Sequence, residues 1–388
     1  MIFLLFILLI FSFFGCDLAT KDSGTSFTII PLEEMEISAG TGEKPQSKVW
    51  YHDGCWWTVL PNQTGTKLWQ LENNKWTSKL HLSDSPNIKA DTKAIGNLAH
   101  ILLYQGAETE LASLEYDTVS KTYKQWSGRQ NPAEIQLEDA SETATIDLDS
   151  SGRMWLASDD ETEIHVRWSD PPYTKWSTAI TLATGISSDD ICVATAFPDG
   201  SMGVLWSNQN TKRFGFRVHK NGTGPENWTE DEIPASSSAI AMKDGMADDH
   251  LNIAVASDGT LYVAVKTSYD TMDYPLIALL VRQPSGKWDK LYNVDDFGTR
   301  GIVLLNEEEN RVMVFYTSPY DSEIVCKASA TKRISFGSRQ TIIIGEESIN
   351  NVSSTKQNIN NEILILASES GTAKGVCLQW SSNSIKHK

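Results

Sequence analysis

The sequence predicts an all-β chain, a seven-bladed β-propeller with four antiparallel strands per blade and a ring closed by the N-terminal strand. Three observations predict it. A hairpin grammar, two β-rich runs around a Gly-containing turn, recurs about every fifty residues. Asn252–Ala256 and Leu261–Val265 around Ser257-Asp258-Gly259-Thr260 are the clearest copy. An aromatic residue behind Lys or another polar residue opens a late strand in unit after unit: Trp76, Trp126, Trp176, Trp228 and Trp288, with Phe336 in the same slot. Finally, the last unit lacks a fourth strand while the N-terminus has one to spare. Closing the ring with the spare strand removes the exposed sheet edges an open array would leave.

Taken in order, residues 1–15 are apolar except for Ser12 and are too short to span a bilayer comfortably. Gly15-Cys16 follows directly, as in a lipoprotein signal whose Cys becomes lipidated and N-terminal. The expectation is a signal peptide at 1–15, a lipid on Cys16, and a polar tether through residue 26. The chain is then exported and held at the cell envelope, touching the membrane through that lipid only. Residues 27–388 form one propeller domain, with Phe27–Ser38 as the closing segment.

Units begin near Val49, Lys93, Ala144, Cys192, Asn252, Gly301 and Ser353. The third unit shows the pattern well: Ala144–Leu148, Met154–Ala157, Glu163–Trp168, then the run opened by Trp176. Four short strands at this period describe a blade rather than a sandwich. No stretch has the periodicity of a helix. Cys55, Cys192, Cys326 and Cys377 are far apart, show no metal-ligand spacing, and sit in strand-like runs as small buried hydrophobes. No metal or cofactor is expected.

A formal net charge of −17 argues against a nucleic-acid partner, because phosphate contacts need a basic footprint. The expected partner is a glycan or protein, and the expected state is a monomer. Strand order fixes which loops share a face. If the first strand of each unit lines the axis, the segments entering first strands and the turns leaving second strands lie together on an upper face. The Asp-Gly hairpins then lie on the lower one. On the upper face the sequence places Asp189 and Asp190, Asp248, Asp249 and His250, Lys266, Ser268 and Tyr269, Arg300, and Lys356 with Gln357. His250, Lys266, Arg300 and Lys356 are expected to converge as an anion pocket in an otherwise acidic protein. Each also has a structural alternative: Arg300 as a brace for Asp295 or Asp296, Lys266 as a partner of Asp249, His250 as a strand cap.

The stretches DDHLNIAVASDGTLYVAVKTS, PLIALLVR, GKW, TRGIVLLNEEENRVMVFYTS and STKQN, between Asp248 and Asn358, resemble a propeller module found in exported bacterial proteins. Asp149-Ser150-Ser151-Gly152-Arg153-Met154-Trp155 resembles an Asp-box, and the whole chain is similar to the sialidase/BNR-like propeller superfamily. That resemblance implies the propeller fold. It does not imply sialidase activity, since of the three upper-face arginines of sialidases only Arg300 has a counterpart here. Some related seven-bladed propellers are polysaccharide lyases using His, Tyr and Arg, a set that Asp249-His250, Tyr269 and Arg300 resemble.

Two functions and a scaffold role follow. The first is binding of an anionic glycan, uronate or sulfated, at the funnel face. The second is a lyase on uronate-containing polysaccharide. There Arg300 or Lys356 would neutralise the substrate carboxylate, His250 oriented by Asp249 would take the proton, and Tyr269 or Tyr316 would protonate the leaving oxygen. A hydrolase would instead need opposed carboxylates, for which Asp190 and Asp249 are available. The third is an envelope scaffold that contacts protein through the rim.

Overall fold

The computed structural model describes residues 27–42, 44–358 and 361–380. Seven sheets surround one axis. Blade 1 is built from Val49–His52, Cys55–Asn62, Gly65–Glu72 and Lys75–Ser83; blade 2 from Lys89–Ile95, Leu98–Gln105, Glu108–Asp117 and Thr122–Gln125, with Ala133–Gln136 also pairing to the third of these. Blade 3 comprises Ala144–Leu148, Met154–Asp159, Glu163–Ser169 and Ile180–Thr184. Blade 4 comprises Cys192–Ala196, Met202–Trp206 and Gly215–His219. Its fourth place is filled by the bridges Phe216 to Glu232 and His219 to Trp228, in a stretch bracketed by Pro225 and Pro234, which cannot donate to a ladder. Blade 5 is Leu251–Val255, Leu261–Lys266, Ile277–Arg282 and Tyr292–Asp295; blade 6 is Thr299–Asn306, Arg311–Ser318, Glu323–Ala330 and Gln340–Ile344. The single helical turn among the described residues is Ser236–Ser238.

Blade 7 shows the expected closure. Asn350–Ser353, Glu362–Glu369 and Thr372–Trp380 supply three strands, and Phe27–Pro31 adds the outer one, antiparallel, with Phe27 opposite Trp380 and Pro31 opposite Val376. Met35–Glu36 continues along the same partner. Cys16, the apolar run at 1–15 and the tether lie outside the described residues.

The core is seven wedges, one at each blade interface. The wedge between blades 7 and 1, for example, packs Leu32, Met35, Leu364 and Leu366 against Trp56, Leu60 and Trp76. Both faces of every sheet are therefore buried, which explains why the strands read as apolar runs. The recurring aromatic fills the wedge toward the preceding blade. Trp228 lies between blades 3 and 4, Trp288 between 4 and 5, and Phe336 between 5 and 6. Blade 2 is the exception. Tyr123 takes that place and its hydroxyl accepts from Trp50 Nε1 at 3.0 Å, while Trp126 turns toward blade 3.

The first strand of each sheet lines the axis, and its inner edge carries unpaired backbone groups. Side chains of neighbouring inner strands satisfy them. Asp91 accepts from Ser47 N and Ile146 N at 2.9 and 2.8 Å, Thr145 Oγ1 from Ala194 N at 3.0 Å, Asp147 from Ala196 N at 2.9 Å, and Asn252 from Val303 N at 3.0 Å. On the lower face the turn at Asp149 is held by its own side chain. Asp149 accepts from Ser151 N, Arg153 N and Trp155 Nε1, as a turn aspartate does. Cys192, Cys326 and Cys377 are buried free thiols, and Cys55 is half-buried.

Candidate functional site

The connection between the closing strand and blade 1 is longer than a single step to the axis requires. Its excess folds into the upper mouth of the channel. Thr41, Gln46, Ser47 and Lys48 are buried there. Gln46 Nε2 donates to Ala144 O at 2.8 Å, Ser47 Oγ to Ser354 O at 2.5 Å, and Thr41 Oγ1 to Asn351 O at 2.6 Å. At the tip, Lys44 Nζ lies 2.6 Å from Glu142 Oε1, 2.7 Å from Asp249 Oδ2 and 3.7 Å from Asp189 Oδ1. Burial opposes its charge, but the hydrogen bonds to Asp249 and Glu142 outweigh that and hold its pKa above the ordinary lysine value. Sequence reasoning missed Lys44 and Glu142. The available signal was the length of the run between the spare strand and blade 1, which had to cross the mouth.

Beside Lys44 sits the cluster the sequence singled out. His250 Nδ1 is 2.7 Å from Asp248 Oδ1 and 2.6 Å from Asp249 Oδ1. Lys266 Nζ meets Asp248 Oδ2 at 2.9 Å, and Ser268 Oγ approaches the same oxygen at 3.3 Å. Lys266 therefore pairs with Asp248 rather than Asp249. Burial disfavours the imidazolium, yet hydrogen bonding to Asp248 and Asp249 raises the His250 pKa overall. Burial likewise opposes the Asp249 charge, but the bond to His250 and the nearby Lys44 lower its pKa strongly. Asp248, Asp249 and His250 offer three potential metal-ligand atoms, two carboxylate and one imidazole, within one small volume. The carboxylate oxygens turned away from the imidazole already hold Lys44 and Lys266, so the trio reads as an ion-pair network. His250 Nε2 is buried without a hydrogen-bond partner.

The other expected site residues are placed elsewhere. Asp190 is fully buried and accepts from Ser187 N at 2.7 Å and Gln209 N at 3.0 Å, which makes it a turn brace. Tyr269 is fully buried in the wedge between blades 4 and 5, with its hydroxyl near Ser238 O and Ile240 N. Tyr316 is also fully buried and bonds Asp295. Lys356 and Gln357 do not lie on the upper rim, because the inner strand of blade 7 starts at Asn350 and they follow its end. Lys356 crosses the channel to Asp91 Oδ2 at 2.5 Å and Ile146 O at 3.0 Å. Gln357 bonds the backbone of Tyr51, near the lower hairpin of blade 1. Asn358 reaches Val255 O at 2.8 Å and Glu307 Oε1 at 2.7 Å across the lower mouth. Beside the Lys356 crossing the channel keeps a cavity of about 140 Å³ lined by Gln46, Lys93, Asp147, Asn252 and Lys356. Lys93 is itself paired to Asp147 at 2.5 Å.

Arg300 remains. It enters the inner strand of blade 6 at a bulge, in the left-handed region with φ of +53°. It is half-buried and has no carboxylate partner among the described residues; Asp295 pairs with Lys327 at 2.8 Å instead. Of the four cations expected to converge, two share one network with carboxylates, one spans the channel, and Arg300 is the one left unpaired.

No protein-family model and no curated protein matches the sequence. Solved structures match it in fold over nearly the whole chain. The polysaccharide lyase Uly1 superposes with a TM-score of 0.53 at 9% identity, covering 92% of this chain and 99% of its own. A PL25 ulvan lyase gives 0.56 at 11% identity, covering 88% and 95%. The WD40 domain of Toxoplasma gondii coronin gives 0.52 at 9%, covering 93% and 90%. At these identities the likeness is one of fold alone.

Proposed function

We propose that the chain is a propeller that binds an acidic saccharide, uronate or sulfated, on its upper face, exported and held at the envelope by a lipid on Cys16. The observation that carries the reading is Arg300: a guanidinium with no carboxylate partner among the described residues, on a left-handed bulge at the loop-bearing face of an acidic protein. A guanidinium fork suits a carboxylate or sulfate. Polysaccharides are what the two solved lyase propellers of this fold act on. The export part rests on the apolar run before Gly15-Cys16.

Binding is favoured over cleavage by what surrounds His250. A lyase base must reach the substrate proton. Here Nδ1 faces two carboxylates, Nε2 is buried, Tyr269 lies in the core, and Lys44 stands over the axis. Titration calorimetry with oligogalacturonate and sulfated galactan oligomers tests the reading. Binding that weakens with salt and falls at least about tenfold in Arg300→Ala supports it, the size expected for one charge-assisted contact. The appearance of unsaturated ends during incubation would replace it with the lyase.

A further inference from the structure

We propose that Phe297 and Tyr320 form a sugar-stacking subsite that holds one pyranose ring beside Arg300; this rests on the acidic-saccharide reading above. The two rings stack with centroids 4.7 Å apart and planes 26° from parallel. Phe297 is half-buried, whereas Tyr320 is 83% exposed. Phe297 sits in the turn entering blade 6, just before Arg300, and Tyr320 in the turn between the second and third strands of the same blade. Both turns belong to the upper face.

Both turns are braced from beneath. Asp295 takes the Tyr316 hydroxyl and the Lys327 ammonium, and Lys327 also donates to Val294 O at 2.9 Å. Gly298 has φ of +129°, and a Cβ there would come within 2.6 Å of the Tyr316 ring, so the turn can pass only with glycine. On the other arm, Asp321 Oδ2 takes Ser318 Oγ at 2.8 Å and Arg339 at 2.8 Å. The stack is thus preorganised, and a ligand orders little on binding.

The chemistry suits a charged sugar. The C–H face of a pyranose packs on an aromatic face, its hydroxyls stay in water at the edges, and its acidic substituent meets the guanidinium. Exposed Asp296 and Asp321 flank the stack, so the apolar surface there is the Tyr320 ring with Pro319 beside it, far below the roughly 800 Å² a stable protein partner covers.

Calorimetry of the full chain with oligogalacturonate and with the same oligomer reduced to its neutral form separates the contributions. Tyr320→Ala is expected to weaken both ligands about fivefold, and Tyr320→Phe to leave them unchanged. Arg300→Ala is expected to weaken only the acidic one. Unchanged affinity in Tyr320→Ala, with wild-type binding intact, overturns the subsite and spares the saccharide reading. No wild-type binding to oligogalacturonate or to sulfated galactan overturns both. Loss in Tyr320→Ala of a captured protein, with saccharide affinity unaltered, reassigns the stack to protein contact and overturns the subsite.

Discussion

Lys44 Nζ and Asp249 Oδ2 stand 2.7 Å apart, joining the connection into blade 1 to the segment that opens blade 5. The pair ties the seam of the ring to blades on its far side. Removing one partner of a buried pair leaves the other charged and stranded, so Lys44→Ala is expected to destabilise the fold by about 3 kcal/mol. Denaturant melts check this. The Lys44→Ala, Asp249→Asn double variant should lose less than the sum of the singles.

Stability should decline from mildly acidic to alkaline pH. His250 has a folded pKa above its unfolded value, so its contribution is fully present below the unfolded pKa and lost as pH rises through the folded one. Burial pushes Asp159 up to about 6, and its protonated form likewise favours the fold until pH rises past that value. Asp249 has the opposite sign: its depressed pKa adds stability that is lost as pH falls. Melting temperatures should therefore be higher near about pH 5.5 than near about pH 8.5. His250→Gln should flatten the upper part of the decline and Asp159→Asn the lower part. A flat or rising profile in wild type contradicts the assignment.

Removal of residues 27–36 should leave the chain unable to form a stable monomer. The outer edge of Thr372–Trp380 would be bare, and the wedge between blades 7 and 1 would lose Leu32 and Met35. Size-exclusion chromatography is expected to show aggregates, and adding the missing segment as a peptide should recover some monomer.

Native-state thiol labelling should reach Cys55 ahead of Cys192, Cys326 and Cys377. Burial raises the Cys377 pKa to about 12 and pushes Cys192 and Cys326 upward too, which leaves little thiolate in any of them. Reductant should leave the melting temperature unchanged, since these four are free.

The fold was legible because it repeats. Each copy of the hairpin grammar and each recurring aromatic reinforced the others, and the spare strand at Phe27 matched the missing one beside Trp380. Register was less legible. The inner strand of blade 7 was read as starting at Ser353, yet it starts at Asn350, and that small slip moved Lys356 and Gln357 from the upper rim to the channel and the lower hairpins. The site was legible only in part, because charge alone does not reveal its partner. Asp248, Asp249, His250 and Lys266 do gather, but they neutralise one another, and Lys44 arrives from a distant segment with no local pattern of its own. Tyr269 and Asp190 were chosen by loop position. Tyr269 is turned inward by packing against the long connection after blade 4, and Asp190 by the turn at Gln209 within blade 4.

Pairing Phe27 with Trp380 couples the two extremes of the described chain. The earliest part of the domain to be synthesised has no docking surface until the latest part exists. Blades 1 to 6 must wait, with their edges unprotected, for a final stitch that depends on synthesis being finished. On the export proposed above, that order keeps the ring from locking before the chain has crossed.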